Sequence, residues 1–186
     1  MQMTYNLILK TPIGTVKTSY TEKGISTISL DASFNNKINV NELLFSDLKV
    51  TLLDHITEKN EMQQLIEAWF TNYFCGDSSN KDILPVDNEL ISSKKFTSKV
   101  LNNLIEVPFG STITYKELAK LSGNSNSSRA VGQAMGKNPL PLLFPCHRVV
   151  NSNGEIGNYM HGQGNNIKCW LISFEKMKLK NEMPNK

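Results

Sequence analysis

Cysteine is scarce in this chain of 186 residues, which excludes most of what cysteine does in numbers. Only Cys75, Cys146 and Cys169 occur, far apart and without a C-x-x-C pair, so neither a disulfide framework nor a zinc site is suggested. A reducing intracellular compartment is the simplest setting. Long hydrophobic runs are also missing, and none approaches membrane-spanning length. The opening Met1-Gln2-Met3-Thr4-Tyr5 has neither the basic nor the apolar region of a signal peptide. No internal repeat occurs, and the local richness in Ser and Asn at 122–128 is short. With 39% hydrophobic and 20% charged residues, the composition is that of an ordinary globular protein with one large or two small domains.

Acidic charge is depleted in one half and basic charge in the other. Residues 1–90 carry 7 Lys/Arg against 12 Asp/Glu, a net of −5, and residues 91–186 carry 13 against 5, a net of +8. Basic charge gathered on one half is the footprint of a polyanion-binding surface. A solvated lysine face is the bland alternative, and Lys176, Lys178 and Lys180 fit either reading.

The patterning divides the chain in the same place. Tyr5–Leu9, Gly14–Tyr20 and Ile25–Leu30 read as short strands, with hairpin connections at Thr11-Pro12 and Glu22-Lys23-Gly24. From Glu61 to Phe74, the apolar residues Met62, Leu65, Ile66, Trp69, Phe70 and Tyr73 recur at a helical period that stops at Gly76. The polar stretch 77–88 is the expected domain boundary. Beyond it the chain reads as helical. Phe96, Val100, Leu101, Leu104 and Ile105 make one stripe, ending before Pro108-Phe109-Gly110. Thr114 and Glu117 have capping-box spacing for a helix through Leu121, which Gly123 would close. Ser127 is placed to cap a second helix over Ser128–Met135, stopped by Gly136 and Pro139. Two short helices around a tight turn fit a helix-turn-helix, a geometry that non-DNA-binding bundles also use.

The chemistry gathers at Pro145-Cys146-His147-Arg148-Val149-Val150, which follows the apolar Leu142-Leu143-Phe144. A thiolate is the nucleophile that a cysteine supplies, and a base or cation beside it raises its population. Neighbours on an extended strand face opposite ways, so direct contact between Cys146 and His147 is not expected. Upstream, Arg129-Ala130-Val131-Gly132-Gln133-Ala134 lacks the long polar side chains that a major-groove reader needs. Small residues beside one arginine instead permit close approach to a narrow surface, or simply mark a packed helix.

Together these segments resemble the O6-alkylguanine-DNA alkyltransferases. The match runs through Ile113-Thr114-Tyr115, Ser128-Arg129-Ala130-Val131-Gly132, Asn138-Pro139-Leu140-Pro141, the Cys146 motif, Gly154, Gly157-Asn158-Tyr159 and Lys168-Cys169-Trp170-Leu171 to Glu175. It covers roughly residues 94–177, in the order and nearly the spacing of that family. The resemblance implies an α/β protein: a small amino-terminal, ribonuclease-H-like α/β domain over 1–90, then a mostly helical carboxy-terminal domain over 91–186 that carries a helix-turn-helix. It implies a DNA repair methyltransferase that works by direct reversal, transferring an alkyl group irreversibly from guanine O6, and also from O4-methylthymine, to Cys146 in one turnover. No cofactor or metal is implied.

By the same resemblance Cys146 is the acceptor, His147 takes its proton through a water, Glu175 orients the imidazole, and Tyr115 and Lys168 assist. Tyr115, Arg129, Ala130, Gly132 and Asn138 would serve DNA binding, with Arg129 filling the space left by the flipped nucleotide. Pro141, Val149, Gly157, Tyr159 and Met160 would line the base pocket. The partner is double-stranded DNA containing O6-alkylguanine, bound through its minor groove by a monomer without membrane attachment. The setting is intracellular, nuclear in a eukaryote and cytoplasmic in a prokaryote. Arg148 reads as a structural ion-pair partner, Cys75 and Cys169 as core fillers, and His55 as a surface residue. Two departures bear on substrate range. Eight residues separate Tyr159 from Lys168 where the family commonly has six, and Met160 replaces a small residue. Gln133 also stands where many relatives have a small residue on the recognition helix. Two other functions share these residues: a damage-binding protein that transfers nothing, whose known examples lack the cysteine, and a cysteine hydrolase built on Cys146, His147 and Glu175.

Overall fold

The computed structural model describes residues 3–31, 49–53, 60–77 and 84–182, which include neither His55 nor the chain ends. The chain divides into two compact units, Met1–Asn88 and Glu89–Lys186. No helix among the described residues is long and apolar enough to cross a membrane. The architecture is α/β, with a sheet in the first unit and helices dominating the second.

In the first unit β1 (Tyr5–Thr11), β2 (Gly14–Thr21) and β3 (Gly24–Leu30) form an antiparallel meander. A short β4 (Thr51–Leu52) joins the free side of β1. Side chains alternate across the sheet, so Leu7, Leu9, Val16, Thr18, Tyr20, Ile28 and Leu30 share burial. Helix α1 (Glu61–Cys75) opens with a capping box in which Asn60 and Gln63 satisfy each other's backbone amides, and it ends at Gly76 with φ +84°. Ile66, Trp69, Phe70, Tyr73 and Phe74 are its buried face. Residues 84–88, the end of the expected boundary stretch, are bound to the sheet of the first unit. Ile25 N donates to Pro85 O at 2.7 Å and Asp87 N donates to Ile25 O at 2.9 Å. A Cβ on Gly24 would lie 2.3 Å from Pro85 O, so only glycine admits this close approach.

The second unit begins with α2 (Glu89–Ser92) and α3 (Phe96–Ile105), whose Val100, Leu101 and Leu104 are fully buried. A two-residue strand β5 (Ile113–Thr114) leads into α4 (Tyr115–Leu121), where Thr114 and Glu117 form the expected capping box. Helix α5 (Ser128–Gly136) follows, and α4 and α5 pack on each other and on α3 as a helix-turn-helix. Ser127 occupies the N-cap position of α5, but with φ −99° and ψ 27° its backbone is not extended, and its side chain makes no capping bond. The long α6 (Asn165–Glu182) buries Ile167, Lys168, Trp170, Leu171, Phe174 and Glu175.

Two expectations are corrected here. Cys75 and Cys169 are exposed, not core fillers. Cys169 sits between buried neighbours on the outward side of α6, as does Ser173 one turn later, and Cys75 is the last residue of α1. The Cys146 segment is also not a strand: Cys146–Arg148 is a single 3-10 turn, and β6 (Val149–Val150) begins only after it.

Candidate active site

Three local features bring the site together. Strands β5 and β6 pair in parallel, Ile113 with Val149 and Thr114 with Val150, which sets the first residue of α4, Tyr115, beside the end of the cysteine turn. The turn itself is held by Cys146 N to Phe144 O at 2.7 Å and Arg148 N to Pro145 O at 2.9 Å. Just before it, Leu142 adopts φ +74°, a left-handed conformation that a leucine takes only where the surroundings enforce it. The enforcing contacts include Phe144 N to Leu140 O at 2.8 Å and the Pro141–Phe144 bridge. A 3-10 turn separates successive side chains by about 120°. Cys146 and His147 therefore point in different directions, as expected, but for a reason other than strand alternation.

Asn138, just beyond α5, is the clasp of the site. Its Nδ2 donates to Phe144 O at 2.7 Å and lies 3.0 Å from Cys146 Sγ, and its Oδ1 accepts from Leu140 N at 3.1 Å. The thiol is buried, 6% exposed, and burial pushes its pKa up from the ordinary value. Asn138, Tyr159 and the charge of Lys168 work against that rise without cancelling it. At rest the sulfur therefore holds its proton, and an external base must remove it before it can react. The Tyr159 hydroxyl is buried near the sulfur, and burial followed by the nearby Cys146 thiolate charge keeps the phenol well above its usual range. Its approach to the sulfur falls short of good hydrogen-bond geometry, so it acts as a nearby dipole.

His147 is completely buried and its Nε2 lies 2.8 Å from Glu175 Oε1. A carboxylate only accepts, so the proton sits on Nε2 and the lone pair of the neutral ring sits on Nδ1. Burial lowers the imidazole pKa, Glu175 opposes this, and Arg148 and Lys168 reinforce it. Glu175 takes more donors than His147 alone. Arg148 Nε reaches Oε2 and Nη2 reaches Oε1, both at 2.9 Å, and Gly110 N donates to Oε2 at 3.0 Å. Burial alone would raise this carboxyl, but the charge of His147 when the ring is protonated and its hydrogen bond, followed by the charge and hydrogen bonds of Arg148, bring it down to about 2.

Lys168 is a fully buried lysine. Its Nζ donates to Val149 O at 2.7 Å and lies 5.9 Å from the centre of the Tyr115 ring. Burial lowers its pKa to about 8 against the pull of a Cys146 thiolate. Tyr115 is raised from its ordinary value by burial and then by the Cys146 charge.

The fold thus gathers Cys146, His147, Glu175, Lys168, Tyr115, Tyr159, Val149 and Asn138. Arg129, Ala130 and Gly132 lie apart on α5, where Arg129 is exposed and a Cβ on Gly132 would meet nothing within 4 Å. Pro141 lies in the loop before the cysteine turn, and Gly157, with φ +66°, packs against the Asn151 amide. Met160 lies in the loop leading to α6, where both Met160 (φ +49°) and His161 (φ +56°) are left-handed. The Met160 sulfur rests where Gly164 leaves room, 2.7 Å from the place a Cβ would occupy. Sequence reasoning missed Gly110 as a donor to Glu175. The Pro108-Phe109-Gly110 turn was visible, but nothing local ties it to a residue 65 positions away.

A buried thiol beside a histidine–carboxylate pair, in a unit that also carries a helix-turn-helix, defines a protein with a cysteine-centred site. Residues 95–177 match the profile of the family described as 6-O-methylguanine DNA methyltransferase, DNA binding domain. The methylated-DNA–protein-cysteine methyltransferase of Rattus norvegicus is 42% identical over 111 residues, which are 58% of this chain and 53% of that protein. The match thus spans about half the length of that relative. The protein of that name from Methanosarcina acetivorans is 30% identical over 171 residues, 92% of this chain and 97% of its own. Among solved structures, Mycobacterium tuberculosis OGT in complex with DNA has the same fold, with a TM-score of 0.70 at 24% identity over 92% of both chains. The chain belongs to the methylated-DNA–protein-cysteine methyltransferase family.

Proposed function

We propose that this protein repairs alkylated DNA by direct reversal, moving an alkyl group from guanine O6, or from O4-methylthymine, to Cys146 once per molecule. The observation that carries the reading is the buried, protonated Cys146 thiol clasped by Asn138 next to a neutral His147 already oriented by Glu175. Such a thiol is protected from casual oxidation and needs a relayed proton transfer to react. A relative solved in complex with DNA supports the choice of substrate.

The alkylated base would be flipped from the duplex into the site, because its reactive carbon is out of reach inside the stack. Arg129 enters the vacated space and Tyr115 crowds the target phosphate. Ala130 and Gly132 let α5 approach the minor groove closely. Pro141, Val149, Gly157, Tyr159 and Met160 enclose the base. The thiol proton passes through a water to His147, and the sulfur attacks the alkyl carbon. The carbon–oxygen bond breaks with its electron pair going to guanine, which takes a proton from Tyr115, and His147 returns a proton to the phenolate. The balance closes on a thioether and a free guanine without any cofactor. Lys168 steadies the thiolate and fixes the Val149 carbonyl at the pocket wall. The protein would act as a monomer, in the nucleus or the prokaryotic cytoplasm, wherever its DNA lies.

Mass spectrometry after incubation with duplex containing O6-methylguanine tests this reading. A stable gain of one methyl on the Cys146 peptide, stopping at one per molecule, is expected. An unmodified peptide with tight lesion binding would establish a damage-binding protein, and sustained turnover would establish a hydrolase.

A further inference from the structure

Arg148 makes four contacts, more than an ordinary structural ion pair requires. Its Nε and Nη2 take both oxygens of Glu175, Nη1 donates to Val107 O at 2.6 Å, and the guanidinium lies 5.7 Å from the centre of the Phe109 ring. In addition, Nη2 and His147 Nε2 converge on the same oxygen, Glu175 Oε1. We propose that Arg148 is a positioning residue that keeps His147 neutral, and so able to accept a proton, by claiming the charge of Glu175. This rests on the reading of His147 as the base for Cys146.

The argument follows from what a buried carboxylate does with its charge. A lone carboxylate hydrogen-bonded to an imidazole in a dry interior is best compensated by a proton on the ring, which yields an imidazolium–carboxylate pair. An imidazolium cannot accept the thiol proton. Arg148 is cationic at any working pH and its planar fork matches the carboxylate, so it supplies the compensation itself. His147 is left with the hydrogen bond that orients it but without a full unit of attraction. The charged groups acting on His147 are Glu175 and Lys168 from α6 and Arg148 from its own turn, while Tyr115 of α4 and Tyr159 act on the Cys146 sulfur. Lys168 also adds positive charge, so removing Arg148 weakens the opposition to Glu175 without abolishing it. Burial lowers the imidazole pKa, with Arg148 among the groups that lower it further.

The test is the protonation of His147, read from the ring-nitrogen NMR shifts of protein labelled with nitrogen-15 histidine, together with the pH profile of alkyl transfer. Arg148→Met should move the His147 titration upward by about one pH unit or more, a tenfold change in proton affinity. Transfer at pH 6 should fall by at least about the same factor relative to pH 8, a wider gap than wild type shows. Arg148→Lys keeps the charge but loses the fork, and should lie between the two. If Arg148→Met does not fold, Arg148→Lys against wild type carries the comparison. The double variant Arg148→Met/Glu175→Gln removes both charges and should bring the titration back down, a reversal that lost packing would not produce. Equal His147 titration in wild type, Arg148→Lys and Arg148→Met would overturn the proposal. If wild type transfers no alkyl group, the repair reading fails, but the NMR titration still decides the role of Arg148.

Discussion

Burial holds the Cys146 thiol protonated until a base acts, and in the proposed mechanism that base is His147. Replacing the thiol with a hydroxyl, Cys146→Ser, should abolish alkyl transfer, because a serine oxygen is scarcely ionised and far less nucleophilic. Duplex binding should persist, since Asn138 still holds Phe144 O and the loop with it. Mass spectrometry and gel-shift titration check the two halves, and loss of both would mean that the sulfur also supports the fold. The same cluster sets the acid stability of the second unit. The His147 pKa lies below its ordinary 6.5, so the unfolded chain takes up that proton first, and stability declines as pH falls below about 6.5. Glu175 lies at about 2 against an ordinary 4.5, so its contribution is full above 4.5 and is lost as pH falls from there through about 2. The Glu175 share is on the order of 3 kcal/mol. Urea unfolding at pH 7, 5 and 3 should show this continuing loss. Glu175→Gln should cost about 3–5 kcal/mol at pH 7 by leaving Arg148 buried without its partner, and should flatten the dependence below pH 4.5.

At the level of elements, what could be read from sequence was whatever is encoded locally. The α4 capping box needs only Thr114 and Glu117 three apart, and the α1 stop needs only Gly76, so both followed from spacing. Strand β4 did not, because two residues, Thr51 and Leu52, carry no period, and their strand character comes from pairing with Leu9 and Lys10. The 3-10 turn at Cys146 was hidden for the same reason: Pro145 and the loop from Leu140 impose it. Helix α5 shows what local pattern and packing say together. Among the described residues nothing fills the space beside Gly132, so packing does not demand a glycine there. Gly132→Ala should raise the melting temperature, because alanine favours a helix interior by about 1 kcal/mol. It should also weaken duplex affinity, if the small surface serves close approach to DNA; unchanged affinity would remove Gly132 from the DNA face. The Met160–His161 turn makes a comparable prediction for alkyl size. Two left-handed non-glycine residues cost about 1–2 kcal/mol each and hold the Met160 side chain against Gly164 beside Tyr159. Methyl transfer should be efficient and benzyl transfer impaired, and Met160→Ser with His161→Gly should raise the benzyl rate relative to methyl. No relative gain would show that this loop does not limit size.

Across the whole molecule, charge is divided as the chain is, −5 over residues 1–90 and +8 over residues 91–186. The helix-turn-helix and the cysteine site both belong to the basic half, so in the proposed reading one unit would carry DNA binding and chemistry together. This much was visible in sequence, because net charge and motif order need no coordinates. Which arginine does what was less so: Arg148 and Arg129 are the only two, and the fold buries the first and exposes the second. Phosphate contacts release counterions, and each phosphate neutralised steepens the fall of log affinity with log salt by about 0.9. An arginine at the surface that met a phosphate would therefore carry a share of that slope, whereas one inserted into the base stack would carry little of it. Arg129→Ala should leave the salt slope for undamaged duplex nearly unchanged. It should slow repair in duplex at least about tenfold, with little effect on reaction with free O6-alkylguanine base, since only the duplex requires a nucleotide to be rotated out. Filter-binding across a salt series and single-turnover rates on the two substrates measure both effects. A slope reduced by about 1 with equal slowing on both substrates would make Arg129 a phosphate contact and leave base flipping to Tyr115 and the narrow face of α5.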